Sequence, residues 1–496
     1  MRRPEPGSGG GGRSGRAVAA LAAALLLGGC AGLFSHSPEG GPAELIVRNA
    51  LVTTQDGARP QAQALAVRDG VFVAVGDEAE VEDFAGPQTR VIDAGGRRVI
   101  PGLNDSHLHA VRGGRFYALE LRWDGVDSLE RALAMVAEQA ARTPARQWVR
   151  VVGGWSPLQF RERRMPTVAE LNRAAPGTPV FVLHLYSGGL LNAAGVAALH
   201  LAPGSLPPAG GRFEFIDGGA RLLAEPSPVI LYETIAKLPE LSAADQLVST
   251  RHFFRELNRF GLTSAVDPGG GGHAWPADYA ATKALAAEPA FPLRLSNYLF
   301  PQRPGRELLD VGRWTAQERL DLNLALDRLN GLVVEGAGEL LVASASDYEN
   351  FLAPRPELQA RMEADLTAVA RVLAQSGWPL RIHATYDESI TRILDVFEPV
   401  FAETGYRARW CIDHAETISD ANLARIAALG GGVAVQDRMA FAGEDFAARY
   451  GVEAAGRAPP LRALLAAGVP LGAGTDGTRV SSYNPWPAIA WMTTGR

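Results

Sequence analysis

The sequence predicts an α/β protein, a TIM-type (β/α)8 barrel preceded by a small β domain. Three observations carry this. From about residue 100 onward, short apolar runs alternate with amphipathic stretches of helical period. Before residue 100, apolar and polar residues alternate with a period of two. Polar residues able to do chemistry stand at the ends of the later apolar runs, where barrel enzymes keep their active sites.

The 496 residues suffice for one large domain and a smaller one. A formal net charge of −6 speaks against a nucleic-acid partner, which calls for a basic surface. Lysine is almost absent: of 48 basic residues only Lys237 and Lys283 are lysines. That scarcity matters for one metal-ligand position below.

Arg2, Arg3, Arg13 and Arg16 precede an apolar run from Ala17 to Leu27, which is shorter than the ~20 residues a bilayer span needs. The run ends in "LGGC", Leu27 to Cys30, which resembles a bacterial lipobox. That resemblance implies a signal peptide over 1–29 and lipidation at Cys30. The lipid would anchor the chain in a membrane, and Ala31 after the cysteine favours an outer membrane lipoprotein facing the periplasm; a plain secretory signal with a coincidental cysteine would instead make the chain secreted or periplasmic. Residues 30–43, rich in Gly, Pro and Ser, form a flexible tether. Cys411 is the other cysteine; with Cys30 acylated no intrachain disulfide can form, and its apolar surroundings make it a small buried hydrophobe.

Residues 44–98 form the small β domain. "AELIVRNALVTT" and "ALAVRDGVFVAVG" alternate apolar and polar residues around turns such as Asp69-Gly70, and "TRVIDAGGRRVIPGL" continues the pattern. Residues 99–496 form the barrel. Its strand candidates are "RVVGG" (150–154), "PVFVLHL" (179–185), "GLTSAVD" (261–267), "PLRLSNYL" (292–299) and "GLVVEGAGELL" (331–341). They continue with "WPLRIHA" (378–384), "ARWCIDHA" (408–415), "GGVAVQ" (431–436) and "VPLGAGTD" (469–476). The intervening "RMEADLTAVARVLAQSG" is amphipathic and closes on Gly377, a helix C-terminal signal. No G-x-G-x-x-G opens a helix after the first strand, which disfavours a dinucleotide fold.

His107 and His109 in "PGLNDSHLHA" are two apart, the spacing that puts side chains on one face of a strand. His383, His414 and Asp476 follow later strands, so four of the nine histidines stand at strand ends with a carboxylate. Imidazole and carboxylate suit zinc and related divalent ions.

"PGLNDSHLH", "RIHA", "IDHAE" and "GAGTD" resemble the metal-ligand motifs of the amidohydrolase superfamily, in the branch that contains N-substituted formamide deformylases. "LRWDGVDSL", "GGWSPLQFRERRMPT", "VQDRMAFAGE" and "GTDGTRVSSYNPW" fit the same branch, and the likeness runs from residue 44 onward. It implies that His107 and His109 hold the more buried metal and that His383 and His414 hold a second. Asp476 would contact the first metal and the attacking water. Many relatives bridge the metals with a carboxylated lysine on the fourth strand, and neither lysine here lies near "GLVVEGAGELL". Glu339, or failing it Glu335, would bridge instead; with neither, the site holds one metal. Relatives also return after the last strand to complete a β-sandwich. The chain stops at "WMTTGR", so the resemblance implies that 44–98 is the N-terminal part of that sandwich, with unpaired strand edges.

The implied activity is metal-assisted hydrolysis of a C–N bond in an amide, with Asp476 as general base and then general acid. Trp155, His273, Arg438 and Arg479 are candidates for contacting substrate; Phe160 and Trp486 stand in comparable loops. A deaminase or lactonase would use the same ligands. A non-catalytic ligand-binding lipoprotein would not need all five ligand positions, and an inactive fragment is the third alternative.

Overall fold

Eight parallel strands pair in chain order around the larger part of the molecule: β1 (Leu103–Asp105), β2 (Leu262–Asp267), β3 (Arg294–Leu299), β4 (Gly331–Ala337), β5 (Leu380–Ala384), β6 (Trp410–His414), β7 (Gly432–Gln436) and β8 (Leu471–Gly474). The ends of the sheet meet just past β1. There Ser106 N–H donates to Ala473 C=O (3.0 Å) and Asp476 N–H to His107 C=O (2.8 Å). This is the expected (β/α)8 barrel. The structure, a computed structural model, describes residues 40–225, 227–318, 320, 331–348, 351, 352, 355 and 357–495. The signal segment, Cys30 and the tether up to residue 39 lie outside the described residues.

The chain divides into two compact units, one ending at Pro101 and one starting at Gly102. The first contains a four-stranded sheet, in the order Val71–Gly76, Ala64–Arg68, Leu45–Arg48, Arg90–Asp93, and a three-stranded one, Gln61–Ala62, Leu51–Thr53, Arg98–Val99. Ile46, Ala64, Ala66 and Val81 make one small core. The two outer strands of the larger sheet leave Val71, Phe72, Val91 and Ile92 exposed, Phe72 at 65%.

In the second unit, alternation along each barrel strand separates two environments. On β5, Leu380, Ile382 and Ala384 join the main apolar cluster with helices α1 (Met362–Gln375) and α2 (Asp387–Thr404). Arg381 and His383 alternate with them and pair with carboxylates inside the barrel. Helix α1 ends where the sequence indicated, with Gly377 in the left-handed region at φ +66°. Cys411 is only partly buried, not fully as expected, yet its surroundings push its thiol up to about 12, so it stays protonated.

Two strand assignments need correction. The runs at 150–154 and 179–185 do not enter the barrel. Val149–Val151 and Val180–His184 belong to a six-stranded mixed sheet inserted between β1 and β2, with Glu120–Leu121, Gly188–Leu191, Gly211–Ile216 and Gly219–Ala224. Both strands are buried on both faces: Val149, Val151, Val180 and Val182 pack in one cluster, and Val152, Phe181 and Leu183 in another. A strand covered on both sides reads as a continuous apolar run whether it sits in a barrel or beside one. The true first barrel strand is three residues long and contains Asn104 and Asp105, so it barely stands out from "TRVIDAGGRRVIPGL", and His107 and His109 lie past its end rather than on one of its faces.

Phe397 of α2 is fully buried, stacked on Phe401 (centroids 5.0 Å apart) and edge-on to Trp410 of β6 (5.5 Å). Phe397→Ala is expected to cost about 3–5 kcal/mol, read as a lower denaturant midpoint for the barrel in urea unfolding; an unchanged midpoint would contradict this packing.

Candidate metal centre

Strand ends bring six side chains together. His107 and His109 follow β1, Glu339 follows β4, His383 lies on β5, His414 ends β6, and Asp476 follows β8. His107 Nε2 is 2.9 Å from Glu339 Oε2 and 3.6 Å from Asp476 Oδ1, and His109 Nε2 is 3.1 Å from Asp476 Oδ1. His383 Nδ1 is 3.6 Å from Glu339 Oε1. The His383 and His414 rings are 4.3 Å apart, and those of His107 and His414 4.9 Å. Two triads have ligand atoms within 4.8 Å of one another: His107, His109, Asp476 and His107, Glu339, His414.

Backbone geometry makes this convergence possible. Strand alternation would send His414 to the helix side with Trp410 and Ile412, but φ is +80° at His414 and +55° at Ala415, and this left-handed turn redirects the ring. Asp476 is left-handed too, at φ +52°. A Cβ on Gly474 would lie 2.6 Å from the His107 nitrogen and 2.7 Å from Asp105 Oδ1, so only glycine lets β8 approach β1 here. Asp105 ties the two strands together by accepting from the backbone N–H of His107 (3.0 Å) and Thr475 (3.1 Å) and from the Thr475 hydroxyl (2.7 Å).

Each ligand histidine but one has its far nitrogen held by an acceptor. His109 Nδ1 donates to the carbonyl of Gly269 (2.6 Å), which assigns its proton and turns Nε2 toward Asp476. His107 Nδ1 faces Asp413 Oδ1 (3.2 Å), and Arg381 pairs with the same carboxylate through two nitrogens. His383 Nε2 faces Asp347 Oδ1 (3.1 Å), and Asp347 also accepts from the N–H groups of Thr385 and Tyr386. Such outer acceptors orient imidazoles for a metal. The exception is His414, whose Nδ1 accepts from Arg438 Nη2 (2.9 Å).

The residues fit a divalent cation. His107 Nε2 and Glu339 Oε2 are buried and 2.9 Å apart, yet neither makes an aligned hydrogen bond among the described residues. Such convergence without a hydrogen bond is the arrangement of two ligands to one ion. Electrostatics points the same way. Burial opposes a charge on His107, yet the Asp413 and Glu339 carboxylates raise it to about 10. Burial likewise opposes ionisation of Glu339 and Asp476. The charge of His107 acts on both, joined at Asp476 by the His109 hydrogen bond and the charges of Arg438 and His414, and holds both well below the usual carboxylate range. The cluster therefore demands positive charge at its centre, and imidazole with carboxylate is a donor set for zinc-like ions.

Of the other candidates, Arg438, His273 and Arg479 line the cavity beside this cluster, whose volume is about 760 Å³. Arg438 is committed to protein groups: besides His414 it donates to Glu416 Oε1 (3.2 Å) and Asp476 Oδ2 (2.9 Å). Trp155 is a correction. It is buried in the apolar cluster of the inserted sheet against Trp123 and Phe160, with Nε1 donating to Leu183 C=O, and it does not line the cavity. Phe160 shares that core, and Trp486 is half-exposed with Nε1 on Phe260 C=O. Glu335 pairs with Arg409 (2.8 Å), and Lys283 sits over the Trp275 ring, so Glu339 alone of these faces the histidines. Sequence reasoning missed Arg112 and a wall of Tyr186, Tyr232 and Tyr348, whose rings lie 5.3–6.1 Å apart. It also left Asp347, Arg381 and Asp413 without a role. Asp413, beside His414 in "IDHA", had a signal in its strand position; Asp347 had none.

The model of a family described as amidohydrolases matches residues 90–496. The protein LONG AFTER FAR-RED 3 of Arabidopsis thaliana is 25% identical over 475 residues, covering 91% of this chain and 78% of its own. N-substituted formamide deformylase of Arthrobacter pascens is 31% identical over 173 residues, 34% of this chain and 32% of that one. Among solved structures, a metal-dependent hydrolase from Pyrococcus furiosus superposes with a TM-score of 0.62 at 21% identity, over 90% of this chain and 87% of its own, a likeness of fold.

If Asp413 orients His107, Asp413→Asn should weaken metal binding about 10- to 100-fold in a competition titration with a chelator. Affinity equal to wild type would remove Asp413 from this role.

Proposed function

The chain belongs to the amidohydrolase family, and on that premise we propose that it is a zinc-dependent hydrolase that cleaves the C–N bond of an N-substituted amide. The observation that carries this is the buried, unaligned approach of His107 Nε2 to Glu339 Oε2 with Asp476 Oδ1 beside them. The stretch of 31% identity to an N-substituted formamide deformylase supports an amide as substrate.

His107, His109 and Asp476 would hold the ion, with Glu339 facing it from across the barrel; a second ion at His383 and His414 would have to displace Arg438 from His414 Nδ1. A bound divalent ion supplies Lewis acidity, bringing water toward a pKa of ~7 and polarising the substrate carbonyl. The chain's own groups do the rest. Asp476 stays ionised and accepts the proton of the attacking water on its carboxylate, then returns it to the departing nitrogen. Arg438 holds Asp476 through Oδ2 and so keeps the carboxylate aimed. Asp413 and Gly269 keep the protons of His107 and His109 on Nδ1, away from the centre. The tyrosine wall gives the substrate an apolar surface and excludes water.

Purified protein should contain about one zinc per chain and hydrolyse members of a panel of N-formyl and N-acyl amides. A chelator should abolish turnover and zinc should restore it. Asp476→Asn should lower kcat by at least ~10³-fold while bound zinc, measured by mass spectrometry, is retained. Full activity of the variant would end the assigned role; turnover of lactones or ring amidines but not amides would move the protein to a lactonase or deaminase.

A further inference from the structure

Beside the metal centre the cavity holds two buried guanidinium groups that no carboxylate answers. Arg112, on the helix Ala110–Phe116 that starts just past His109, is 3% exposed, and its Nε and Nη2 have no hydrogen-bond partner among the described residues. Arg479, shortly after Asp476, is 7% exposed; it lies over the Tyr232 ring at 5.9 Å and makes no hydrogen bond or ion pair among the described residues. A buried unpaired guanidinium is costly, and two together more so. Burial, and after it the charge of Arg112, bring Arg479 down to about 10.

The nearby acids are already committed: Asp267, whose charge Arg112 feels, accepts from the backbone N–H groups of Val111 (2.7 Å) and Gly269 (2.9 Å). Glu240 and Asp278 pair with Arg115 (3.1 and 3.0 Å). Glu120 pairs with Arg122 at 3.4 Å, and this one carboxylate, itself buried, feels the charges of Arg122, Arg479, Arg112 and Arg150 together. Positive charge is left over. A third donor adds to it: Arg115 Nη1 lies 2.9 Å from His273 Nδ1, and since arginine can only donate, the His273 proton is on Nε2, which has no partner among the described residues. Arg112 and His273 meet at one place, and Arg479 lines the same cavity close enough to feel the charge of Arg112. The position that a Cβ on Gly270 would take is 3.3 Å from His109 Nδ1, 3.7 Å from His273 Cδ2 and 3.8 Å from Arg112 Nη1. Glycine there keeps open the space between a metal-ligand histidine and the donors.

We propose that Arg112 and Arg479, with His273 Nε2, bind a carboxylate carried by the substrate, so that the enzyme takes amides of the N-acyl amino acid class rather than neutral amides. Two arginine forks beside one open space match a planar, bidentate anion. The nearness of this pocket to His109 places the carboxylate within a few bonds of the scissile C–N bond. The substrate class rests on the amide-hydrolase reading above; the anion pocket does not.

The test compares N-formylphenylalanine with N-(2-phenylethyl)formamide, which share the formamide and the ring and differ by the carboxylate. Wild-type kcat/KM should favour the acid by roughly 100-fold, and Arg112→Gln and Arg479→Gln should each lower that ratio at least ~10-fold. Arg479→Lys should recover part of it, which a folding defect would not. A readout independent of turnover is calorimetric binding of 3-phenylpropanoate against 3-phenylpropanamide to the protein as purified. The acid should bind more tightly than the amide, and only through the two arginines. If neither formamide is hydrolysed yet the acid still binds this way, the amide reading falls and the anion pocket stands. Equal binding of acid and amide, or a preference unchanged in both glutamine variants, would overturn the proposal.

Discussion

Buried charge at one mouth of the barrel is the condition on which the rest of the structure depends. Four imidazoles and two carboxylates sit out of water within a few ångströms, together with Arg438. No apolar packing can offset such a cluster; it is tolerable only if every charge is answered and every polar atom placed. The surrounding residues meet this demand. Asp413 with Arg381, Asp347 with the Thr385 and Tyr386 amides, Gly269 C=O, and Glu416 with Arg438 form a second ring that fixes the first. The irregular backbone at His414, Ala415 and Asp476, and the glycine at 474, are where the regular barrel gives way so that the ring can close.

Work is divided between barrel and insertion. The six clustered side chains all lie on or just past barrel strands. The inserted region between β1 and β2 supplies Tyr186 and, on the helix Val229–Ala236, Tyr232, both facing the same cavity. On the proposed reading, reactivity rests on elements locked by barrel strand pairing, while part of the apolar wall comes from a segment that can change without disturbing it. Arg112 and Arg479 stand where the two meet, each a short distance in sequence from a metal-site residue.

Much of this was legible in the residues, and the failures have physical reasons. The strand–helix alternation after residue 260 maps onto β2–β8, and His107, His109, His383, His414 and Asp476, which strand-end logic singled out, are brought together with Glu339, which only the family resemblance suggested. Burial on both faces erased the difference between a barrel strand and a strand of the inserted sheet, which is why 150–154 and 179–185 were misplaced. Trp155 looked like a pocket aromatic because a sequence cannot say which side of a loop faces the core. Asp347 and Arg112 act through partners 36 and more residues away, or through having none, and no local pattern encodes either. Exposed Phe72 and Val91, by contrast, show that the apolar content of an edge strand does not by itself foretell burial.

The seam between β1 and β8 has a consequence in time. Asp105 and Thr475, which hydrogen-bond across it, are 370 residues apart. During synthesis at about 5–20 residues per second, the first two histidines wait on the order of tens of seconds for the carboxylate that completes their triad. For the early part of that interval β1 has neither of its barrel neighbours at hand, since the inserted sheet separates it from β2 as well. The histidines past β1 are thus made early, and a nascent chain carries them without Asp476 until β8 has been made.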